Sequence, residues 1–164
     1  IFSKLQDNVP PAPFDEVKPI IERDLGNLNQ KFDQIEHKAL SGASLGQVYL
    51  AKANNQSLVV KVKRPGIEKI VEKDLKVLKK ILPLALRFVD PNLRFSARAM
   101  LAQFIETIHE EMNYNLESDN LKRIKENMKK YQNVIIPEVY DDYSSKNVLT
   151  MEYIPGIKDR KSVV

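Results

Sequence analysis

The sequence predicts an α+β fold in which a five-stranded antiparallel sheet is flanked by helices. Three observations lead there. Apolar residues recur at helical spacing, change to a strand-like pattern, return to helical spacing, and end strand-like. Gly, Pro and Asn cluster where the period changes. Two runs rich in Val, Leu and Tyr, Gln47–Ala53 and Ser57–Lys63, stand on either side of a short polar turn.

The elements follow in order. Ile1–Asp7 reads as a short helical end, and Asn8–Pro13 as an extended breaker, because each Pro fixes φ and removes a backbone donor. Phe14–Leu25 is an amphipathic helix with Phe14, Val17, Ile20, Ile21 and Leu25 on one face and Gly26 as its stop. Pro19 sits early enough to be tolerated, and a short helix is expected around Leu28–Phe32. Three strands come next, Ile35–Leu40, Gln47–Ala53 and Ser57–Lys63, the last two joined by a hairpin at Asn54-Asn55-Gln56. A helix over Ile67–Val89 carries an apolar stripe of Ile67, Ile70, Val71, Leu75, Leu78, Ile81, Leu82 and Ala85, with a kink expected at Pro83. Lys69, Lys73, Lys76 and Lys80 lie opposite, as a solvated face or as a patch for an anionic lipid or partner. After Asp90-Pro91-Asn92 a long helix, Leu93–Tyr131, is expected. Strands at Val134–Tyr140 and Val148–Ile154 close the pattern.

Composition narrows the function classes. The 164 residues are 43% hydrophobic and 29% charged, which suits one packed domain rather than a disordered tail. The net charge of +4 is mild, and nineteen of the 26 basic residues are Lys. With no Trp and no basic–aromatic interleaving, nucleic acid is not an expected partner. The absence of Cys excludes disulfides and thiolate metal sites and fits a reducing compartment. His37 and His109 are far apart, so no transition-metal site is expected. No apolar run reaches membrane-spanning length, and no signal-peptide pattern opens the chain.

Four segments could carry chemistry. Ser41-Gly42-Ala43-Ser44-Leu45-Gly46, between two strands, is small enough for its N–H groups to approach phosphates. Taken alone it is also an ordinary hairpin. Lys61 stands between Val60 and Val62; it either pairs with an anion or points to water from one face of its strand. Within Glu110–Asn120, a regular helix puts Glu110, Asn113 and Glu117 on one face and Glu111 off it; a solvated charged surface is the plainer reading. Last, Val148–Ile154 runs as an apolar strand into Pro155-Gly156.

The order of these parts is more specific than any one of them. A small-residue loop, a strand Lys, a helix Glu and a strand ending Met151-Glu152-Tyr153-Ile154-Pro155-Gly156 resemble the N-lobe of a protein kinase. Lys61 and Glu117 are 56 positions apart, which leaves room for the inserted 67–89 helix that ordinary kinases lack. Ser3-Lys4-Leu5-Gln6-Asp7-Asn8-Val9-Pro10-Pro11, Ala43 through Ala51, Val60-Lys61-Val62-Lys63-Arg64-Pro65-Gly66-Ile67 and Glu111 through Asn120 resemble the UbiB-type atypical kinase-like family, the ADCK-type ubiquinone-biosynthesis group. The resemblance spans essentially the whole chain.

That resemblance implies a site and a role. Lys61 matches the phosphate-contacting Lys and Glu117 its helix partner. Ser41, Gly42, Ala43 and Ser44 fall on the family's Ala-rich loop, with Gly46 and Gln47 completing the phosphate cover. Met151 matches the gatekeeper, and the Glu152 carbonyl and Ile154 N–H would face adenine. Glu111 and Asn113 fall on the acidic E-x-D motif, where Asn113 replaces Asp and so removes a charge. The implied cofactors are ATP and Mg²⁺, and the implied role is an atypical kinase or ATPase supporting isoprenoid-quinone or related lipid metabolism at a membrane surface. The expected layout is a helical extension over 1–32, a kinase-like N-lobe over 33–156 and the start of an inter-lobe linker over 157–164. The chain is expected to be a piece of a longer protein whose C-lobe carries the catalytic Asp and metal ligands, so the piece itself is expected to be inactive. Expected partners are a nucleotide, that C-lobe, a peripheral membrane contact and, through the uncovered inter-lobe face, a second copy. A cytoplasmic or peripheral-membrane location follows. A non-catalytic kinase-shaped scaffold is the alternative, favoured by Asn113.

Overall fold

A computed structural model describes residues 10–42, 45–88, 90–131 and 133–156. The expected helical end at 1–7, loop residues Ala43 and Ser44, and the linker at 157–164 lie outside the described residues. Helix α1 (Phe14–Leu25) begins after Pro13 and stops at Gly26, whose φ of 86° carries the chain out of the helix while its N–H still bonds Glu22 O at 3.0 Å. A four-residue turn, α2 (Leu28–Lys31), follows, capped by Asn27.

The sheet is antiparallel with strands β1 (Gln34–Ile35), β2 (Ser41–Gly42), β3 (Gly46–Ala53), β4 (Gln56–Lys63) and β5 (Val148–Glu152). Its order is β1-β3-β4-β5, with β2 also on β3. The β3–β4 hairpin turns on Asn54 and Asn55, both at positive φ (52° and 61°), the two-residue geometry whose twist matches that of its strands. Helix α3 (Ile67–Ala85) tightens into a 3-10 turn (Leu86–Phe88) just beyond Pro83. Helices α4 (Pro91–Glu111) and α5 (Tyr114–Met128) come next, and a second 3-10 turn (Asp141–Tyr143) leads towards β5.

Three expected elements come out differently, each for a local reason. The first strand, expected as Ile35–Leu40, is two short pieces. Ile35 pairs with Ala51 and Ser41 with Val48, so six steps on one side face three on the other. The surplus forms a bulge, and His37 within it stacks on Phe14, ring centroids 4.2 Å apart. The strand expected at Val134–Tyr140 shrinks to one bridge, Val139 to Met151, because Pro137 lies in the run and cannot donate to a ladder. The long helix expected over Leu93–Tyr131 breaks at Met112–Asn113, where Asn113 turns extended and starts α5.

The strand repeat sorts side chains onto two faces. On one, Tyr49, Ala51, Ala53, Leu58, Val60, Val62 and Val148 pack against Phe14, Val17 and Ile21 of α1 and against Leu28 and Phe32. On the other, Leu149 and Met151 pack with Val139 and with Tyr114 and Leu121 of α5. The α3 stripe does not become core: Leu75 is its one buried residue, and Ile70, Leu78 and Ile81 are exposed. Among the described residues no helix is long and apolar enough to cross a membrane.

Asp24, at the end of α1, ties that helix to the turn before β5. Its carboxylate accepts from Ser145 Oγ at 2.7 Å, Asn147 Nδ2 at 2.8 Å and Arg23 Nε at 2.8 Å. Burial pushes the carboxyl up, but these hydrogen bonds outweigh it and hold the group below the ordinary aspartate value. A depressed folded-state pKa gives stability that is full above the unfolded value and lost as pH falls through the folded one. Asp24→Asn should therefore cost roughly 1–3 kcal/mol at neutral pH, and the deficit should shrink in acid as the parent loses the same contribution. Urea denaturation of both proteins at neutral and acidic pH checks this; a deficit independent of pH contradicts it.

Candidate functional site

Alternation along β4 fixes where Lys61 points. Leu58, Val60 and Val62 turn into the α1 core, so Lys61 emerges on the α5 face, beside Val48 of β3 and Leu149 of β5. There its Nζ donates to both carboxylate oxygens of Glu117, at 2.8 Å to Oε1 and 2.6 Å to Oε2. The two side chains are 25% and 35% exposed, so the pair lies in a cleft mouth. A pair at this depth falls between the small worth of surface pairs and the larger cost of breaking buried ones, roughly 1–3 kcal/mol. The ammonium also sits 4.8 Å from the Tyr114 ring centroid, a cation–π contact that restricts it further.

The break before α5 sets up this geometry. Asn113 adopts φ −114°, ψ 94°, and its side-chain oxygen accepts from Asn115 N at 3.3 Å, capping α5. Tyr114 N donates to Lys146 O, which holds the start of α5 against the turn preceding β5. Glu117 and Tyr114, three residues apart, then share the face turned to the sheet. The expectation that Glu110, Asn113 and Glu117 line up on one continuous helix fails at this break. Instead Glu110 and Glu111 on α4 meet Glu117, Asn120 and Leu121 on α5 around a cleft of about 500 Å³. Glu111, expected off the shared face, therefore does reach the site, while Asn113 is engaged as a helix cap.

Tyr114 falls within the expected long helix with no role read for it from the sequence, yet it is the most enclosed residue of the site. It is 1% exposed, and its hydroxyl has no hydrogen-bond partner. Burial pushes that hydroxyl's pKa up, and the Glu117 and Glu111 carboxylates push the same way. The hydroxyl lies against Gly46, where a Cβ would run into it and would sit 2.9 Å from the Val62 carbonyl oxygen. Gly46 is thus required by close approach. The spacing of Tyr114 to Glu117 was the available signal.

The remaining expected residues divide. Gly46 lies beside the Lys61–Tyr114 contact, and Leu45 O accepts from Arg64 N at 3.0 Å, tying the loop's descending arm to the end of β4. Ser41 is exposed and Gly42 half-buried, both paired to β3. Gln47 is not brought to the site. It has the strand parity of Tyr49, so its side chain is buried on the α1 face. There its amide holds both the N–H and the C=O of Ala12, at 2.9 and 3.0 Å, and contacts the Tyr49 hydroxyl. Met151 lies on the Lys61 face, packed with Tyr114 and Leu149. Glu152 is exposed at the end of β5, its N–H bonded to Glu138 O, and Ile154 follows half-buried. A further ion pair, from the buried Lys63 Nζ to Oε1 of the exposed Glu68 at 2.7 Å, pins the first turn of α3 to the sheet, and that bond holds the Glu68 carboxyl below its ordinary value.

Comparison with known proteins shows the family and the fold. The family model of the ABC1 atypical kinase-like domain matches residues 4–162. The chain is 37% identical to the chloroplastic protein named Activity of BC1 complex kinase 8 of Arabidopsis thaliana, covering 98% of this chain and 21% of that protein. It is 35% identical to a probable protein kinase UbiB of Marinobacter nauticus, covering 95% of this chain and 29% of the relative. A solved Mycobacterium tuberculosis protein, Rv3197 in complex with erythromycin, shares the fold at a TM-score of 0.71 and 23% identity, over 90% of this chain and 37% of that one. The chain thus spans between about a fifth and a third of the curated relatives it matches.

The Gly46–Tyr114 contact yields a test. Gly46→Ala should destabilise the protein by roughly 1–3 kcal/mol, the usual cost of overpacking. Adding Tyr114→Phe removes one of the two collisions, so the double variant should recover part of that loss and not all of it. Denaturant titration of the parent, the single variants and the double variant measures this; no recovery contradicts the contact.

Proposed function

We propose, from the premise that this chain belongs to the ABC1 atypical kinase-like family, that it is the nucleotide-binding lobe of an atypical kinase or ATPase. The observation that carries the reading is the two-oxygen grip of Glu117 on Lys61. A lysine held this way is oriented before a ligand arrives, so less entropy is lost when it meets a phosphate oxygen. In the proposed complex Lys61 donates to the phosphates of ATP, Glu117 fixes its direction, and the backbone beside Gly46 covers the phosphates from the loop side. The Glu152 carbonyl and Ile154 N–H take the adenine edge. A bound nucleotide would supply the phosphoryl group; the residues described here bind and orient it.

Glu110, Glu111 and Glu117 face one cleft, but Glu117 is committed to Lys61. Among the described residues no three His, Cys, Asp or Glu side chains converge as metal ligands. We therefore assign no metal ligand to these residues and propose that the 164-residue chain binds nucleotide without turning it over. In the longer protein, a second lobe would supply the base and the metal ligands, and the substrate would belong to isoprenoid-quinone or related lipid metabolism. A kinase-shaped module without catalysis is the second reading. It is favoured by Asn113, whose side chain serves as a cap where the family motif carries a carboxylate.

Isothermal titration of the purified chain with ATP tests the proposal. Lys61→Met should weaken binding by about tenfold or more, the range expected when a charge-assisted contact of ~1.5–3 kcal/mol is removed. Equal affinity in parent and variant would contradict the site assignment, and ATP hydrolysis by the parent that disappears in Lys61→Met would contradict binding without turnover. Asn113→Asp should keep the α5 cap, since Asp and Asn cap equally well, and so leave the melting temperature within the range of a surface change. A large fall in melting temperature for Asn113→Asp would show that the side chain does more than cap.

A further inference from the structure

The turn that leads into β5 holds two other elements at once. Ser145 Oγ accepts from Asn147 N and Val148 N, both at 3.1 Å, and Ser145 N donates to Val148 O, so residues 145–148 close on themselves as one unit. Two successive carbonyls project from it. Lys146 O accepts from Tyr114 N at 3.2 Å, at the start of α5, and Asn147 O accepts from Lys63 N at 3.0 Å, at the end of β4. Glu117 stands three residues beyond the first anchor, and Lys61 two residues before the second. Adjacent peptide units of one turn therefore carry both elements whose side chains pair at 2.6 and 2.8 Å.

Asp24 fixes this turn from the α1 side. A single oxygen, Oδ2, accepts from the side chains on either side of Lys146, from Ser145 Oγ at 2.7 Å and from Asn147 Nδ2 at 2.8 Å. The other, Oδ1, accepts from Arg23 Nε at 2.8 Å. The Asp24 side chain is only 11% exposed, so water competes little for it. Ser145 accepts twice and has one proton to give, and that proton goes to Asp24. Hydrogen bonds to an ionised acceptor are roughly twice as strong as neutral ones. Burial of Val17 and Ile21 already holds α1 on the sheet, so the carboxylate is not needed to attach the helix. What it fixes is the pose of the two residues that flank Lys146 O.

We propose that Asp24 is a positioning residue for the Lys61–Glu117 pair. Through the turn it sets where α5 lies relative to β4, and so keeps Glu117 within two-oxygen reach of Lys61. Asp24 itself touches neither side chain. It acts by holding Lys146 O and Asn147 O at the spacing that the two anchors require, from the opposite face of the sheet. Its consequence for ligand binding rests on the reading of Lys61 as the nucleotide-contacting group; its consequence for the two anchors does not.

Two measurements separate positioning from plain stability. Amide hydrogen exchange without nucleotide reads the anchors: Asp24→Ala should speed exchange at Tyr114 and Lys63 by about tenfold more than at Val60, whose amide in the middle of β4 follows overall stability. ATP affinity, measured where every variant is folded by circular dichroism, reads the pair. Asp24→Ala should weaken ATP by about fivefold, and by almost nothing once Glu117→Gln is present. Ser145→Ala, which leaves the carboxylate in place and removes its partner, should reproduce both effects and decides the matter if Asp24→Ala does not fold. Val17→Ala, which loosens the same helix without touching the turn, should bind ATP like the parent. Parent affinity in Asp24→Ala, with binding lost in Lys61→Met, would overturn the positioning role and leave the nucleotide site standing. Parent affinity in Lys61→Met would remove the nucleotide reading and the proposed effect on ATP with it. Additive losses from Asp24→Ala and Glu117→Gln, an equal loss in Val17→Ala, or anchors that exchange no faster than Val60 would each show that Asp24 only stabilises the fold, and would overturn the proposal.

Discussion

The structure depends on the two faces of one strand. β4 sends Leu58, Val60 and Val62 into the α1 core and Lys61 to the opposite side, and nothing about the site survives a shift of this strand by one residue. Such a slip would bury an ammonium among Tyr49, Val17 and Ile21 and expose three branched side chains. Both neighbours pin the register: β3 through eight paired positions and β5 through five. Burial of the α1 core therefore does double duty: it stabilises the sheet and aims the lysine.

On the α5 side the matching constraint is the break at Met112–Asn113. A continuous helix from Leu93 to Tyr131 would have carried Glu117 at whatever angle the inserted helix dictated. Interrupting it lets α5 start afresh from its own cap, with Tyr114 N anchored to Lys146 O and the Tyr114 ring wedged between the helix and the sheet. Glu117 then lies one turn along, within reach of Lys61. The insertion α3–α4 is joined to this unit notably through Lys63–Glu68, while His109–Glu72 ties its two helices to each other. One face of α3 stays exposed.

Much of this was legible in the sequence. Helix α1 has the expected bounds because a Pro start, a regular apolar stripe and a Gly stop all agree. The Asn54-Asn55 turn and the flanking strands follow from local chemistry alone, and the Lys61–Glu117 approach follows from the order of motifs. The misses lie where a single residue competes with a pattern. Pro137 outvotes the β-rich Val134–Tyr140 run, and Asn113 ends a helix whose apolar spacing continues past it. Gln47 sat inside a loop motif, yet its parity with Tyr49 had already placed it on the other face. The expected apolar stripe of α3 is present but largely exposed, because periodicity shows that a face is apolar and not what covers it.

The central claim is that Lys61 and Glu117 act as one unit in holding a nucleotide. A double-mutant cycle on ATP affinity measures this most directly, using Lys61→Met, Glu117→Gln and the pair together. If Glu117 works only by orienting Lys61, the second substitution costs almost nothing once the first is made, and the coupling is of the order of 1 kcal/mol or more. Additive losses, each residue contributing independently of the other, would contradict the account.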